Sequence, residues 1–106
     1  MGRMGRGETM RLSILKLAAN DLREIHGYLS DVGISPADKL RKDFEVFCAQ
    51  VATMPFMHAV YSQNPAYRRA VLLYGYLVFY QVDEEESVVK IYRVLHGKRN
   101  AMPLLD

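Results

Sequence analysis

The sequence predicts an α+β fold in which a helical hairpin packs on one face of a small, mainly antiparallel sheet. Three observations lead to this prediction. A short alternating segment stands near the start of the chain, and two segments with apolar residues at steps of three and four follow it. Three segments rich in Val, Tyr and Phe come last. The predicted order is therefore β-α-α-β-β-β, in one domain over residues 10–106.

The chain begins with a segment that shows no periodicity. Residues 1–9, MGRMGRGET, carry two glycine-arginine repeats, and we expect them to form a flexible extension. The first predicted strand is RLSILKLA, residues 11–18, in which Leu12 and Ile14 alternate with their neighbours.

The first predicted helix covers residues 19–32. Its apolar residues fall on one helical face: Leu22, Ile25, Leu29 and Val32. Asn20 and Asp21 favour its amino end, where backbone N–H groups lack partners and the helix dipole favours negative charge. Gly33 is expected to end it.

The second predicted helix starts at SPAD, residues 35–38, where Ser35 can cap and Pro36 fits the first helical position. Pro55 ends it. Its apolar stripe consists of Leu40, Phe44, Phe47, Val51 and Met54. Because only a short turn joins the two helices, they should lie antiparallel as a hairpin.

Three strands form the predicted meander: residues 67–73, 76–82 and 88–96. Tyr74-Gly75 is the first turn, since glycine accepts the positive φ of a tight hairpin, and DEEES (83–87) is the second. One sheet face should cover the helices, and the other should stay partly open.

The composition excludes several classes of protein. No apolar run approaches the roughly 20 residues of a membrane span. The single cysteine, Cys48, excludes an internal disulfide and fits a reducing cytoplasm. His26, His58 and His96 are scattered, so we predict neither a metal site nor a cofactor.

Cationic residues concentrate towards both ends of the chain. Residues 1–16 carry four cations and one acid, and residues 87–100 carry four cations and no acid. The acids concentrate in the middle and in DEEE (83–86). A local cationic surface suggests an anionic partner, either a nucleic acid or an acidic protein segment, and a solvated rim is the plain alternative.

Four stretches in this order resemble the ParE/RelE superfamily of type II toxins: NDLREIHGYL (20–29), YRR (67–69), YLVFYQV (76–82) and IYRVLHGKRN (91–100). The resemblance implies a cytoplasmic toxin neutralised by a cognate antitoxin, whose binding segment folds around it. The superfamily contains at least two activities. RelE-like members cut mRNA in the ribosomal A site, whereas ParE-like members poison DNA gyrase and are not nucleases.

Metal-free RNA cleavage requires a base, an acid and cations that stabilise the phosphate. Gly97-Lys98-Arg99 resembles a RelE-like stretch in which the arginine serves cleavage. The tyrosine expected a few residues later is missing, and only His96 could replace it. A nuclease would therefore use the candidate catalytic residues His96, Arg99, Arg69 and Arg68.

Strand parity over residues 88–96 places Lys90, Tyr92 and His96 on one face and Arg93 on the other. If the first face is open, it carries a Lys–Tyr–His constellation; if it is buried, Arg93 is exposed instead. The sequence leaves both arrangements open.

The ending LHGKRN–AMPLL resembles that of several ParE toxins, so gyrase inhibition by binding, without catalysis, is the favoured hypothesis. The candidate contact residues for antitoxin or target are Arg68, Arg69, Lys90, Arg93, Lys98 and Arg99. The alternatives are a ribosome-dependent mRNA endonuclease and a non-toxic remnant that only binds its antitoxin.

Overall fold

The computed structural model describes residues 9–99 and 102–105. Its elements are, in chain order, β1 (Arg11–Ile14), α1 (Lys16–Val32), α2 (Ile34–Thr53), β2 (Arg68–Val71), β3 (Tyr76–Asp83), β4 (Val88–His96) and α3 (Met102–Leu105). The predicted order β-α-α-β-β-β is confirmed, and α3 is added at its end. The predicted flexible extension, apart from Thr9, lies outside the described residues.

The four strands form one mixed sheet in the order β1-β4-β3-β2. β1 runs parallel to β4, while β4, β3 and β2 pair antiparallel, so the predicted mainly antiparallel sheet is confirmed. The two helices carry the chain across one face between β1 and the meander. No helix in the described part of the chain is long and apolar enough to cross a membrane.

The predicted boundary between the first strand and the first helix is wrong. β1 ends at Ile14, and α1 begins at Lys16 instead of residue 19. The reason is that Ala18 and Asp21 are three residues apart, so an earlier helix start places both of these buried side chains on one face of α1. Asp21 is therefore an interior residue of the helix and not part of its amino end.

The second helix begins slightly earlier than predicted. Gly33 separates α1 from α2, and α2 begins at Ile34, so Ser35 lies inside its first turn. Ser35 therefore does not cap the helix, and no side-chain hydrogen bond does. The predicted end is confirmed, since α2 stops at Thr53, ahead of Pro55.

The turn between β2 and β3 needs two residues of positive φ. Gly75 has φ 79°, as the sequence predicts, and Tyr74 has φ 63°. A bulky side chain in this region is strained, because its Cβ approaches the backbone. The Asp43 carboxylate of α2 accepts a hydrogen bond from the Leu73 N–H at 2.7 Å and so fixes the turn against the helices.

A β-bulge divides β4. Tyr80 pairs with Ile91, whereas the adjacent Phe79 pairs with Arg93, which leaves Tyr92 as one extra residue. Side chains that follow the bulge therefore lie on the face opposite to the one that simple alternation predicts.

Apolar clusters cover both faces of the sheet. The main core lies under the helices and includes Phe47, Val78, Tyr80 and Ile91. A smaller cluster on the second face joins Tyr67, Phe79, Leu95 and Leu105, with Tyr92 packed against it. The expected partly open second face is thus covered in its middle by Leu104 and Leu105 of α3.

Alanine substitutions at two glycines should change the free energy of unfolding in opposite directions. Gly27 lies inside α1 with open space around it, so Gly27→Ala should raise the free energy of unfolding by about 0.5–1 kcal/mol through helix propensity. Gly75→Ala should lower it by about 1–2 kcal/mol, because φ is +79° there. Urea unfolding of both variants checks the pair. Equal effects of one sign would contradict the turn geometry.

Candidate binding site at the end of the sheet

The two arginines of β2 lie on opposite sheet faces, as strand parity predicts. Arg68 donates to the carbonyl of His58 at 2.7 Å, and its guanidinium stacks over Phe56. Arg69 is exposed, and its guanidinium lies over the Tyr61 ring. Arg68 therefore fixes the chain segment that follows α2, while Arg69 remains accessible on the second face.

Arg93 is committed to contacts inside the fold. Its Nε and Nη2 donate to the carboxylate of Asp21 at 2.7 and 2.9 Å, and its Nη1 donates to the Leu104 carbonyl at 3.2 Å. The Asp21 hydrogen bonds raise the pKa of the Arg93 guanidinium, so it stays charged. Both side chains are largely buried.

The strand-parity prediction that Lys90, Tyr92 and His96 share one face is wrong. Lys90 forms an ion pair with Asp83 at 3.4 Å on the second face. Tyr92 packs on the same face. His96 pairs with Tyr76 of the main core, because the bulge reverses the parity of β4.

His96 instead opens into a cleft of about 620 Å³ at the end of the sheet. The walls come from the end of α1, the start of α2, the turn before β3 and the end of β4. They consist of Tyr28, Leu29, Val32, Pro36, Tyr74, Tyr76, His96 and Lys98. We call this the aromatic cleft.

The tyrosines of the aromatic cleft differ in exposure. Tyr28 and Tyr74 expose 64% and 43% of their surface, so their rings are free to contact a partner. Tyr76 is buried, and its ring meets the His96 imidazole edge to face at 5.1 Å between centroids. Burial, and then the neighbouring Tyr28, raise the pKa of Tyr76, so its hydroxyl stays protonated.

The imidazole of His96 lies between two backbone segments. Its Nδ1 accepts the backbone N–H of Lys98 at 3.2 Å. Its Nε2 lies above Gly75, where an added Cβ would be 3.7 Å away. Gly97 is needed beside it, since its N–H donates to the Gly75 carbonyl and a Cβ there would crowd that oxygen at 3.1 Å.

The described walls of the aromatic cleft carry a cation and no acid, since Lys98 lines it and no Asp or Glu of the described residues does. Arg99 is exposed on the turn that follows. The acidic run Glu84–Glu86 lies at the opposite ends of β3 and β4. The site therefore favours an anionic or acidic partner that also carries apolar groups.

The four candidate catalytic residues are not gathered at one point. His96 lies on the helical face, Arg69 lies on the second face, and the guanidinium of Arg68 is held by backbone carbonyls. Arg99 follows His96 closely, and its N–H donates to the His96 carbonyl. The structure thus brings together His96, Lys98 and Arg99 without Arg68 and Arg69.

Sequence reasoning missed the tyrosines of this site. The sequence predicts Tyr74, Tyr76 and Tyr80 to be packing residues of the sheet, which is correct for the buried Tyr76 and Tyr80 and wrong for the exposed Tyr74. The signal that remained was Tyr28, a large aromatic residue outside the apolar stripe of its helix. Among the described residues, no group of His, Cys, Asp and Glu could hold a metal ion.

Comparison with known proteins identifies the family. A family model described as the ParE toxin of type II toxin–antitoxin system, parDE, matches residues 12–101. The chain belongs to this family. It is therefore a type II toxin of the ParE/RelE superfamily. No curated protein sequence matches it.

Solved structures share the ParE fold at low sequence identity. A chromosomal ParDE system from P. aeruginosa gives a TM-score of 0.68 at 22% identity, covering 85% of this chain and 98% of the other. A mutant of the E. coli toxin RelE in the free state gives 0.67 at 18%, covering 92% and 93%. The intact E. coli RelBE toxin–antitoxin complex gives 0.60 at 23%, covering 85% and 99%.

His58 makes the stability of this ParE-family fold depend on pH. Its ring packs between Phe47 and Tyr80, and its Nε2 is buried without a hydrogen-bond partner among the described residues. Burial lowers its pKa, because water is replaced by apolar side chains around the ring. The folded protein therefore resists protonation of this imidazole.

Because the unfolded chain protonates His58 near its usual pKa of about 6.5, the free energy of unfolding should fall as pH drops below that value. The carboxylates with lowered pKa, Asp38 and Asp83, act only at more acidic pH. Urea unfolding at about pH 7.5 and 5.5 should show the decrease in the native protein and in His26→Gln, but not in His58→Phe. A slope that persists in His58→Phe would refute this assignment.

Proposed function

We propose that this chain is a growth-inhibiting toxin that binds DNA gyrase through the aromatic cleft and is neutralised by a cognate antitoxin in the cytoplasm. The observation that carries the proposal is the cleft itself. It exposes Tyr28 and Tyr74 beside Lys98, with no acid among its lining residues. Tyrosine is enriched among the residues that dominate protein–protein binding, and rigid rings lose little entropy on binding.

The surroundings of the cleft extend this surface. Val32 lines it, and Ile34 and Leu73 lie next to lining segments in the chain; all three are exposed, so apolar surface is available to a protein partner. The positive φ of Tyr74 also supports a functional role for the aromatic cleft. Strain of this kind persists only where the surrounding structure holds it, and it clusters at functional sites. The match of residues 12–101 to the ParE family model also supports the gyrase branch.

The antitoxin is proposed to use a second surface, the groove between α1 and α2. This groove has a volume of about 470 Å³, with apolar walls that include Leu22, Ile25 and Phe44. Arg23 and Arg41 also line it, but Arg41 is already paired with Asp38 and Glu45. An amphipathic segment with apolar anchors and an acidic group near Arg23 would fit this groove. Antitoxin bound there and across the basic end of the sheet would block the aromatic cleft.

One observation favours the nuclease alternative. His96, Tyr76 and Lys98 all line the aromatic cleft, so an imidazole, a protonated phenol and an ammonium, which could serve as base, acid and cation, share one site. Arg68 and Arg69 are directed elsewhere and do not supply a second cation to this cleft. We therefore place gyrase binding first.

Removing the exposed rings should abolish gyrase inhibition without damage to the fold. Tyr74→Gly relieves the positive φ while deleting the ring, so it should unfold no more easily than the native protein. Tyr28→Ala deletes a ring that is already solvent-exposed. Each should weaken inhibition of DNA supercoiling by purified gyrase more than about tenfold, as expected for an aromatic anchor.

Met57→Ala is the matched control, because Met57 is as exposed as Tyr74 but lies in the segment after α2. It should inhibit gyrase like the native protein. If Tyr74→Gly and Tyr28→Ala inhibit gyrase as strongly as the native protein, the aromatic cleft is not part of the gyrase interface. If expression of the native chain without its antitoxin leaves growth unchanged, the hypothesis of a non-toxic remnant is correct.

His96→Phe separates binding from catalysis, because phenylalanine keeps the ring against Tyr76 and removes both titratable nitrogens. Gyrase inhibition should then change by less than about threefold, whereas a nuclease would lose more than about tenfold as its acid–base group disappears. Growth arrest, message integrity and plasmid supercoiling are measured in the same cells. Cleaved message that disappears in His96→Phe would establish the endonuclease.

A further inference from the structure

The register of β4 depends on a residue far away in the sequence. β1 ends at Ile14, opposite Ile91, so the rest of β4 runs on without a strand on that edge. The backbone N–H of Val94 faces this free edge, where it would lack a sheet partner. The carboxylate of Asp21, in α1, accepts it at 3.0 Å.

The bulge of β4 lies directly before this hydrogen bond. From Val94 onward, the side chains of β4 alternate in the sense that puts Val94 and His96 on the helical face. Without the extra residue Tyr92, those two side chains would lie on the second face and Leu95 would turn inward. A charged acceptor at the Val94 N–H stabilises the bulged register, in which this N–H faces the free edge.

The same carboxylate controls the second face through Arg93. Asp21 orients the guanidinium, whose third nitrogen holds the Leu104 carbonyl of α3. Tyr67 donates its hydroxyl to the Leu105 carbonyl at 2.8 Å and completes the attachment. One residue of α1 thereby connects the aromatic cleft on one side of the sheet with α3 on the other.

We propose that Asp21 is the positioning residue that sets the bulged register of β4 and so places His96 against Tyr76 in the aromatic cleft. A buried ion pair by itself contributes little net stability relative to a well-packed apolar pair. Its role here is to specify one register, because an apolar side chain at position 21 cannot accept the Val94 N–H. The structural part of this proposal is independent of the target; its consequence for gyrase inhibition rests on the proposed function.

The experiment compares Asp21→Leu, Asp21→Asn and the control Glu24→Gln in the full chain. Leucine keeps volume but accepts no hydrogen bond; asparagine keeps an acceptor and loses the charge. Glu24→Gln removes the neighbouring acid on the same helix, which acts on Arg93 only at longer range. NMR measures amide exchange at Val94, relative to Ile91, and the contact between the rings of Tyr76 and His96. Gyrase inhibition is measured in parallel.

Asp21→Leu should speed Val94 exchange about tenfold or more relative to Ile91, the effect of one lost buried hydrogen bond, and abolish the Tyr76–His96 contact. Asp21→Asn and Glu24→Gln should preserve both. A folded Asp21→Leu that retains the ring contact and a protected Val94 amide would overturn the proposal. If the contact is lost while gyrase inhibition is unchanged, the positioning role stands and the proposed function of the cleft fails.

Arg93→Gln is the second test, and it decides the question if Asp21→Leu does not fold. Glutamine removes the cation but leaves the Asp21 carboxylate able to accept the Val94 N–H. Val94 should then stay protected while the environment of the Tyr67 ring changes. Loss of Val94 protection in Arg93→Gln would show that the ion pair sets the register, and would overturn the assignment to Asp21.

Discussion

The carboxylate of Asp21 accepts three hydrogen bonds, two from the Arg93 guanidinium and one from the Val94 N–H. The rest of the functional surface depends on these contacts. They join α1 to the unpaired edge of β4 at the point where the strand gains an extra residue. A carboxylate buried this deeply requires compensation, and here every partner is a charged group or a backbone donor. The main core, the bulge and the attachment of α3 therefore form one connected unit.

The candidate contact residues differ in what they already bind. Lys90 is paired with Asp83, and Arg68 and Arg93 hold the fold, since each donates to a backbone carbonyl of a neighbouring segment. Arg69, Lys98 and Arg99 are exposed and available to a partner. Charge counted along the sequence cannot make this distinction, because an arginine offers the same donors to a carbonyl inside the fold and to a partner outside it. Membership of the ParE family fixes the class of protein, while the exposed cations and tyrosines are the residues that we propose as its contacts.

Much of the fold could be predicted because its signals are local. The apolar stripe of α2, the stop before Pro55 and the positive φ of Gly75 each depend on a few neighbouring residues. The strand β4 was predicted over residues 88–96, its observed length. The predicted end of β1 was wrong because Leu12 and Ile14 satisfy an alternating pattern that has no local stop signal. The helix starts before Ala18, and the burial of this residue depends on packing against the sheet, which the local sequence does not show.

By itself, the sequence determined the order of the elements, the apolar face of α2 and the superfamily, because these follow from periodicity, turn residues and short motifs. Only the tertiary structure decided which side chains share a face of β4. Alternation is a local rule, and it holds until one residue is added to a strand. The residue that stabilises the addition, Asp21, lies 72 positions before Arg93. The aromatic cleft, with His96 beside Tyr76 and not beside Lys90, therefore exists only in the folded chain.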